Sequence, residues 1–266
     1  MTNRPRTSRD AVAGELEAEI MSGGLAPGDR LPAERQLAEQ HGISRPMVRE
    51  ALRILSERGL IRIDPGRGAF VQRPSPLAGA RPLDALYRRA HPTVRELTEA
   101  RMLVECETAS LAARRAGLED VRDLGGLLEE LETSTAPEDL VRADLAFHLR
   151  VAAAAHSRIL EAMLASLAPL SAELMVRALG EPEVHRRTAP LHARVYEAIA
   201  TRDPEAAQNA MQRHLEAASA GLGREYDDDL DAMAQRALRR LGVRRDLQAF
   251  LRAVLPADQG RSLPER

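Results

Sequence analysis

Residues 31–61 have the sequence LPAERQLAEQHGISRPMVREALRILSERGLI, in which two short helical patterns meet at Gly42. A glycine at this point suits the C-terminal cap of the first helix. Ser44 suits the N-cap of the second helix, and Pro46 falls in its first turn. The second helix has a single apolar face, formed by Val48, Leu52 and Leu55. This arrangement predicts a helix-turn-helix.

The segments on either side complete a small domain. An earlier helical pattern has Val12, Leu16 and Ile20 on one face, and glycines and a proline end it. After the second helix, two short apolar runs at 60–63 and 69–71 flank a Pro/Gly turn, which is typical of a β-hairpin. Three helices followed by a hairpin predict a winged helix-turn-helix over residues 1–73.

The rest of the chain is predominantly helical in pattern. Residues 74–92 contain four prolines and are predicted to be a linker, with room for a short helix near Leu86. Residues 93–224 show helical periodicity throughout and predict an all-α helical bundle. Residues 225–266 add two amphipathic stretches, a helical extension of unknown role. The predicted fold class is therefore mainly α, an N-terminal winged helix-turn-helix with a C-terminal all-α helical bundle.

The composition restricts location and partners. No run of eighteen apolar residues occurs, so no transmembrane helix and no membrane partner are expected. The first ten residues lack the apolar stretch of a signal peptide, and the single cysteine forms no internal disulfide, which favours the cytoplasm. Aromatic residues make up 2% of the chain, too few for a platform that stacks single-stranded bases. The net charge is −2, but residues 30–73 contain nine arginines and five acidic residues.

The start of the second helix of the helix-turn-helix has the side chains that read DNA bases. Arg45 and Arg49 are four residues apart and share a face away from the apolar stripe. A bidentate arginine–guanine contact provides about 1–3 kcal/mol of base discrimination. Arg35 lies where the preceding helix would cross the DNA backbone, and the wing tip 66–68 can approach DNA closely. The alternative is a solvated arginine face without a nucleic-acid partner.

Three segments resemble the GntR family of bacterial regulators, namely 31–38 (LPAERQLA), 42–52 (GISRPMVREAL) and 59–61 (GLI). The resemblance implies operator contacts from three arginines of the helix-turn-helix, a wing near the minor groove, and a homodimer on palindromic double-stranded DNA. The DNA-binding residues expected on this basis are Arg35, Ser44, Arg45, Pro46, Met47, Arg49, Gly66, Arg67 and Gly68.

Two residues depart from the pattern of many relatives. Ala33 stands where a serine is common, so one helix lacks its N-cap side chain, at a cost of about 1 kcal/mol. Met47 stands where a hydroxyl residue is common and cannot donate a hydrogen bond to a phosphate. The base preference at that point of the operator is therefore open.

Four residues of the helical domain have the pattern of metal ligands. Asp144 and His148 are four apart on one helix, and His192 and His214 lie on apolar faces of two later helices. One carboxylate and three imidazoles suit a divalent transition metal, and ligands that project inward from several helices are common in bundles. The alternative is a set of core histidines that are satisfied by hydrogen bonds.

Arg101 falls on the apolar stripe of the first helix of this domain. Arginine is almost never buried without a partner, so a buried arginine that faces a cavity indicates a bound anion. The alternative is an internal ion pair, for instance with Glu105 or Glu173.

The helical domain also resembles a known effector domain. The segments 101–105 (RMLVE), 112–113 (AA) and 144–148 (DLAFH), followed by His192 and His214, look like the FCD domain of the FadR-like branch of the same family. The resemblance implies that Asp144 and the three histidines bind a metal ion and that Arg101 assists a bound carboxylate. Zinc is the first choice for the metal, and nickel, manganese and iron stay open.

These observations lead to one functional hypothesis and several alternatives. We expect a sequence-specific DNA-binding regulator, a repressor and not an enzyme, whose operator binding responds to a small organic acid at a divalent-metal site. The alternatives are a metal-free FadR-like sensor of acyl-CoA, a metal-dependent hydrolase, and a structural DNA binder with a silent bundle. A hydrolase is disfavoured because no second carboxylate lies at motif spacing to act as a base.

Overall fold

The computed structural model describes residues 8–73, 75, 80–179, 181–220, 223–243 and 245–255. The described chain folds as two units, one before residue 80 and one from residue 80 onward. The first unit contains α1 (Arg9–Met21), α2 (Glu34–His41), α3 (Arg45–Glu57), β1 (Ile61–Asp64) and β2 (Gly68–Val71). The second contains α4 (Ala80–Ala90), α5 (Val94–Arg115), α6 (Leu118–Thr133), α7 (Pro137–Ala154), α8 (Arg158–Leu179), α9 (Pro182–Ala200), α10 (Pro204–Ser219), α11 (Leu230–Arg240) and α12 (Leu247–Val254), with a 3₁₀ turn at Gly223–Asp227.

The first unit is the predicted winged helix-turn-helix. Gly42 ends α2 in the left-handed conformation with φ of 64°, which a residue without a Cβ adopts at low cost. The apolar faces of α1 and α3 meet in one core, with Val12, Val48 and Leu55 fully buried. Strands β1 and β2 pair antiparallel from Ile61↔Val71 to Asp64↔Gly68, and their inner side chains close the same core.

Residues 28–31 pair with β2 through an isolated β-bridge, Arg30↔Phe70, which the sequence analysis missed. Leu31 donates a backbone hydrogen bond to Ala69, and Val71 donates one to Asp29. Gly28 also donates to Val71, with φ of 96°. This pairing covers the free edge of β2 and fixes the base of the wing. A segment of this length is too short to show the alternation of apolar and polar residues that predicts a strand.

The second unit is the predicted all-α bundle. Helices α5, α7, α9 and α10 enclose a core of small and large apolar side chains, in which Phe147, Val195 and Met211 are fully buried. Alanine positions on α5, such as Ala109 and Ala112, let α10 pack closely against it. Thr93 begins α5 with a capping box that includes Glu96. This core places the inner faces of the four helices opposite one another.

The segments flanking the central bundle fold as part of it. Within the segment expected to be a linker, residues 80–90 form α4, which packs against α8. In the expected extension, α11 packs on α8, and α12 packs on α7 and α8. The short helix expected near Leu86 is therefore present as α4, and it packs on the bundle.

Helix α8 is long and apolar enough, by length and composition, to cross a membrane, although the sequence analysis expected no such helix. In the fold, 72% of its most apolar window is buried against other helices. A helix that is apolar on all sides is typical of the centre of a large helical domain as well as of a membrane span. The packing is that of a central core helix.

Candidate functional site

The N-terminal turn of α3 presents the predicted base-reading arginines to solvent. Ser44 has the extended backbone of an N-cap, but its hydroxyl makes no capping hydrogen bond. The side chains of Arg45 and Arg49 are 62% and 60% exposed, on a face beside the one that buries Val48. Their nearest described acidic partner is Glu34 at the start of α2, with Oε2 3.8 Å from Arg45 Nη2 and 3.4 Å from Arg49 Nε.

The other predicted DNA-binding residues surround this turn or lie at the wing. Pro46 is exposed and Met47 is half-buried on α3. Arg35 is 81% exposed on α2 and lies 3.7 Å from Glu39. In the wing, Gly66 and Gly68 have φ of 75° and 111°, and Arg67 between them is exposed. Ala33 makes no side-chain cap at α2, as the sequence predicts. The unit thus has one exposed arginine-bearing surface on α3 and another on the wing.

The four predicted metal ligands converge inside the bundle. One donor atom from each of Asp144, His148, His192 and His214 lies within 4.8 Å of the other three. Oδ1 of Asp144 is 3.0 Å from Nε2 of His192 and 3.2 Å from Nε2 of His148. Nε2 of His148 is also 3.2 Å from Nε2 of His214. All three imidazoles are at least 97% buried, so three helices, α7, α9 and α10, form a single buried polar centre.

The outward-facing ring nitrogens of the histidines differ in their partners. Nδ1 of His148 is hydrogen-bonded to the carboxylate of Glu105. Nδ1 of His192 lies 3.4 Å from the carbonyl oxygen of Ala189. Nδ1 of His214 is buried and has no hydrogen-bond partner among the described residues. Two imidazoles are therefore oriented by a carboxylate or a carbonyl, as metal-bound histidines generally are.

Arg101 lies beside this centre, on α5. Its side chain is buried, and its Nε donates a 2.5 Å hydrogen bond to Oε1 of Glu105. The internal ion pair considered for Arg101 is thus present, with Glu105 as the partner. Glu173 pairs with Arg88 instead. Because Glu105 contacts both Arg101 and His148, the carboxylate links the arginine to the histidine cluster.

Burial and mutual charges strongly shift the protonation of this cluster. Burial by itself would raise the pKa of Glu105, but the Arg101 guanidinium and then His148 outweigh it and hold the pKa at about 2. Burial would lower the pKa of His148, yet the Glu105 carboxylate and the hydrogen bond to Asp144 raise it to about 9.

The pKa values at both ends of the cluster are lowered, which leaves one group charged and the other neutral. The pKa of Asp144 lies well below its usual range because His192 and His148 overcome the effect of burial. Burial and then the charge of His192 hold the pKa of His214 well below its usual range, so this imidazole is neutral. A neutral imidazole and an ionised carboxylate are the protonation states that metal ions bind, so His148, whose pKa is raised, would release a proton when an ion binds.

The donor set fits a divalent transition-metal ion. Donors about 2.1 Å from one ion lie about 3.0 Å apart as neighbours in an octahedral shell and about 3.4 Å apart in a tetrahedral one. The contacts of 3.0 and 3.2 Å among Asp144, His148, His192 and His214 match this spacing. Without an ion, the facing Nε2 atoms of His148 and His214 need one proton between them, which one nitrogen donates to the other. A metal ion would instead accept the lone pairs of both nitrogens.

Sequence reasoning missed two groups at these sites. Glu34 was not considered as a partner of the α3 arginines, and Glu105 appeared only as one candidate partner of Arg101. The signal for Glu105 was its spacing of four residues from Arg101, which places both on one helix face. The contact between Glu105 and His148 joins residues 43 positions apart and has no local signal.

Two family models match the chain. Residues 8–71 match the model described as bacterial regulatory proteins, gntR family, and residues 96–217 match the FCD domain. Among curated proteins, the Glc operon transcriptional activator of Escherichia coli is 30% identical over 225 residues, which are 81% of this chain and 89% of that protein. The chain belongs to the GntR family of bacterial transcription regulators and carries an FCD domain.

Other relatives of this GntR-family regulator agree with the assignment. The HTH-type transcriptional regulator LutR of Bacillus subtilis is 32% identical over 202 residues, 74% of this chain and 92% of that protein. The solved structure titled Streptococcus agalactiae GntR has a TM-score of 0.58 at 23% identity, covering 79% of this chain and 97% of that one, and supports the fold. The regulators matched are transcription factors and not enzymes, which removes the hydrolase alternative.

Proposed function

We propose that this regulator binds operator DNA under the control of a small organic acid, which binds beside a divalent metal ion in the FCD domain. Asp144, His148, His192 and His214 would hold the ion. Arg101 would contribute positive charge toward the carboxylate of the effector. Zinc is the first choice of metal, with nickel, manganese and iron as alternatives.

The convergence of four donors from three helices carries the proposal. A core in which histidines serve only as packing residues would satisfy each ring by separate hydrogen bonds. Here Asp144 contacts two imidazoles through one oxygen, and two Nε2 atoms face each other at 3.2 Å. This arrangement concentrates lone pairs at one point, which supports a bound cation.

The residues of the chain would each have a distinct role. A divalent ion, when bound, offers open coordination positions for a small carboxylate. Glu105 would hold His148 so that its Nε2 faces the centre, and the Ala189 carbonyl would do the same for His192. Arg101 would add to the positive potential, with its Nε anchored by Glu105. The effector would change operator affinity by binding one conformation of the dimer more tightly than another.

The DNA side of the proposal rests on the exposed arginines. Arg45 and Arg49 would contact bases in the major groove, with Ser44, Pro46 and Met47 beside them. Arg35 would contact phosphates, and residues Gly66, Arg67 and Gly68 would bring the wing to the minor groove. A homodimer would place two such surfaces on a palindromic site.

Location and the sign of regulation complete the proposal. We place the protein in the cytoplasm, where operator DNA is found. Repression stays a prediction, and the relative from Escherichia coli is named an activator. A reporter gene under the operator distinguishes the two signs, because a repressor lowers expression in the absence of its effector.

Metal analysis of the purified protein tests the site. The wild-type chain should contain about one equivalent of divalent metal, and the variant His148→Ala with His192→Ala should lose it. The same variant should lose its response to small carboxylates in a thermal-shift screen while it retains operator binding. His156→Asn is the matched control, since His156 contacts Asp120 and is not among the four ligands.

Three results would contradict the proposal. The first is less than about half an equivalent of metal in wild-type protein that has not met a chelator. The second is a normal effector response in the double variant. The third is stabilisation of the metal-free wild-type protein by acyl-CoA, which would establish the metal-free alternative.

A further inference from the structure

A polar cavity separate from the histidine cluster lies in the helical unit, between α4, α8, α11 and α12. Its volume is about 320 Å³, and Glu173, Asp229 and Asp231 contribute carboxylates to its lining. Leu170 and Leu230 form apolar parts of the wall. Three of these four helices lie outside the residues that match either family model, 8–71 and 96–217. Most of the residues that line the cavity therefore lie outside the parts of the chain that match either family model.

Glu173 is the unusual group in this cavity. The residue is fully buried, and its Oε2 has no hydrogen-bond partner among the residues that the structure describes. Its Oε1 lies 2.7 Å from Nη1 of Arg88, close enough for an ion pair but without the angles of a hydrogen bond. A buried carboxylate with an unsatisfied oxygen is costly unless a donor approaches it.

Arg88 does not neutralise the region. Its Nε binds Asp84 at 3.1 Å, and its Nη1 lies 3.6 Å from Asp231 as well as near Glu173. His91 is the other basic residue, with Nδ1 3.2 Å from Asp229. Together with Asp84, which contacts Arg88 but does not line the cavity, four carboxylates surround one guanidinium and one imidazole. This group stays net negative when His91 is protonated, even if Glu173 also holds a proton.

We propose that this cavity binds a small organic cation with a primary ammonium group and a short alkyl chain. The ammonium would donate to Oε2 of Glu173, and the alkyl chain would contact Leu170, Leu230 and Pro92. A divalent metal ion fits less well. Nη1 of Arg88 lies 2.7 Å from Oε1 of Glu173, and its positive charge would repel a dication bound to this carboxylate. The volume of about 320 Å³ also exceeds what a single ion needs.

Occupation of this cavity would strengthen the packing of the flanking helices. Glu173 belongs to α8, Arg88 to α4 and Asp231 to α11, so a ligand that contacts this group connects three elements. The backbone of residues 92–94 already pairs with residues 228–230, through Leu230 to Pro92 and Val94 to Asp228. Binding should therefore slow amide exchange in α4 and α11.

Titration calorimetry with putrescine and with n-butylammonium tests the proposal on the full-length protein at constant ionic strength. We expect saturable binding of at least one of the two below about 10 mM, weakened at least about tenfold by Glu173→Gln. Glu161→Gln is the matched control, because Glu161 is also on α8 but does not line the cavity. If Glu173→Gln fails to fold, Asp231→Asn replaces it, since Asp231 is 44% exposed.

The proposal is overturned by the absence of saturable binding for both amines. It is also overturned if the Glu173 and Asp231 variants bind them as wild type does. A third titration uses Mg²⁺ alone. If Mg²⁺ binds more strongly than either amine, and if Glu173→Gln weakens its binding, the site belongs to an inorganic cation instead. Exchange protection in α4 and α11 on addition of amine supports the proposal, and protection only elsewhere contradicts it.

Discussion

Arg101 donates a 2.5 Å hydrogen bond from Nε to Oε1 of Glu105, one helical turn further along α5. The second carboxylate oxygen of Glu105 contacts Nδ1 of His148. One buried carboxylate therefore orients both the residue proposed to face the effector and a residue proposed to bind metal. Loss of its charge should affect both sites at once.

The variant Glu105→Gln tests this link. A glutamine amide has a single acceptor oxygen, so one of the two partners loses its acceptor, and the amide leaves the buried positive charge uncompensated. Metal affinity, measured by competition with a chelator, should fall about 10–100-fold. The free energy of unfolding should fall by about 3 kcal/mol in urea titrations. Glu107→Gln, on the exposed side of α5, should change neither quantity. Unchanged metal affinity in Glu105→Gln would show that His148 needs no such support.

The variant Arg45→Ala tests direct base reading. Its side chain is exposed and outside the core, so stability should change by less than about 0.5 kcal/mol. Binding to the specific operator should weaken by about 1–3 kcal/mol, with a smaller loss on random DNA. Fluorescence anisotropy with both duplexes measures the two losses. Arg53→Ala is the control, since Arg53 pairs with Glu50 and Glu57 on the same helix. Equal losses on both duplexes would reduce Arg45 to a phosphate contact.

Glu34 should influence DNA binding through its two arginine neighbours. Its carboxylate lies 3.4 Å from Arg49 and 3.8 Å from Arg45, and it would repel phosphates at this surface. Exposed ion pairs contribute up to about 1 kcal/mol, so Glu34→Gln should raise affinity for random DNA by up to about fivefold at low salt. The gain should shrink as salt increases. Glu57→Gln removes the same charge farther along α3 and should show a smaller gain; an equal gain would mean that only net charge matters.

Glu173 should make stability depend on pH. Burial raises its pKa to about 7, with Asp231 and Asp84 adding to the effect and Arg88 opposing it. Because the folded state holds this proton more tightly than the unfolded state, the stabilisation is present below about pH 4.5 and is lost as pH rises toward 7. The loss amounts to about 3 kcal/mol.

Urea titrations between these pH values, without added amines, measure the effect. Glu173→Gln stays neutral at every pH, so its stability relative to wild type should increase from the acidic to the neutral end. Other titrating groups contribute equally to the stability of the wild type and of the variant, so their contributions cancel when the two stabilities are subtracted. A constant difference across the range would mean that Glu173 is ionised in the folded protein throughout.

The local features of the fold were predictable from sequence because they depend on neighbouring residues. Gly42 and Ser44 mark the turn of the helix-turn-helix, and the period of 3.6 residues puts Arg45 and Arg49 on one face, beside the stripe that contains Val48. The same period places Asp144 and His148 on one face of α7, and it places His192 and His214 on the apolar faces of two later helices. The resemblance to known regulators then favoured all four as ligands of one ion, since a period within one helix carries no information about a second helix.

The sequence by itself determined which helix faces are polar, where helices end, and the family to which the chain belongs. Only the tertiary structure decided which faces meet. It brought Glu105 rather than Glu173 to Arg101, placed Glu105 against His148, and joined α4, α11 and α12 around the cavity of Glu173. The physical reason is that helix periodicity comes from backbone geometry over a few residues, whereas contacts between helices depend on the packing of side chains far apart in sequence.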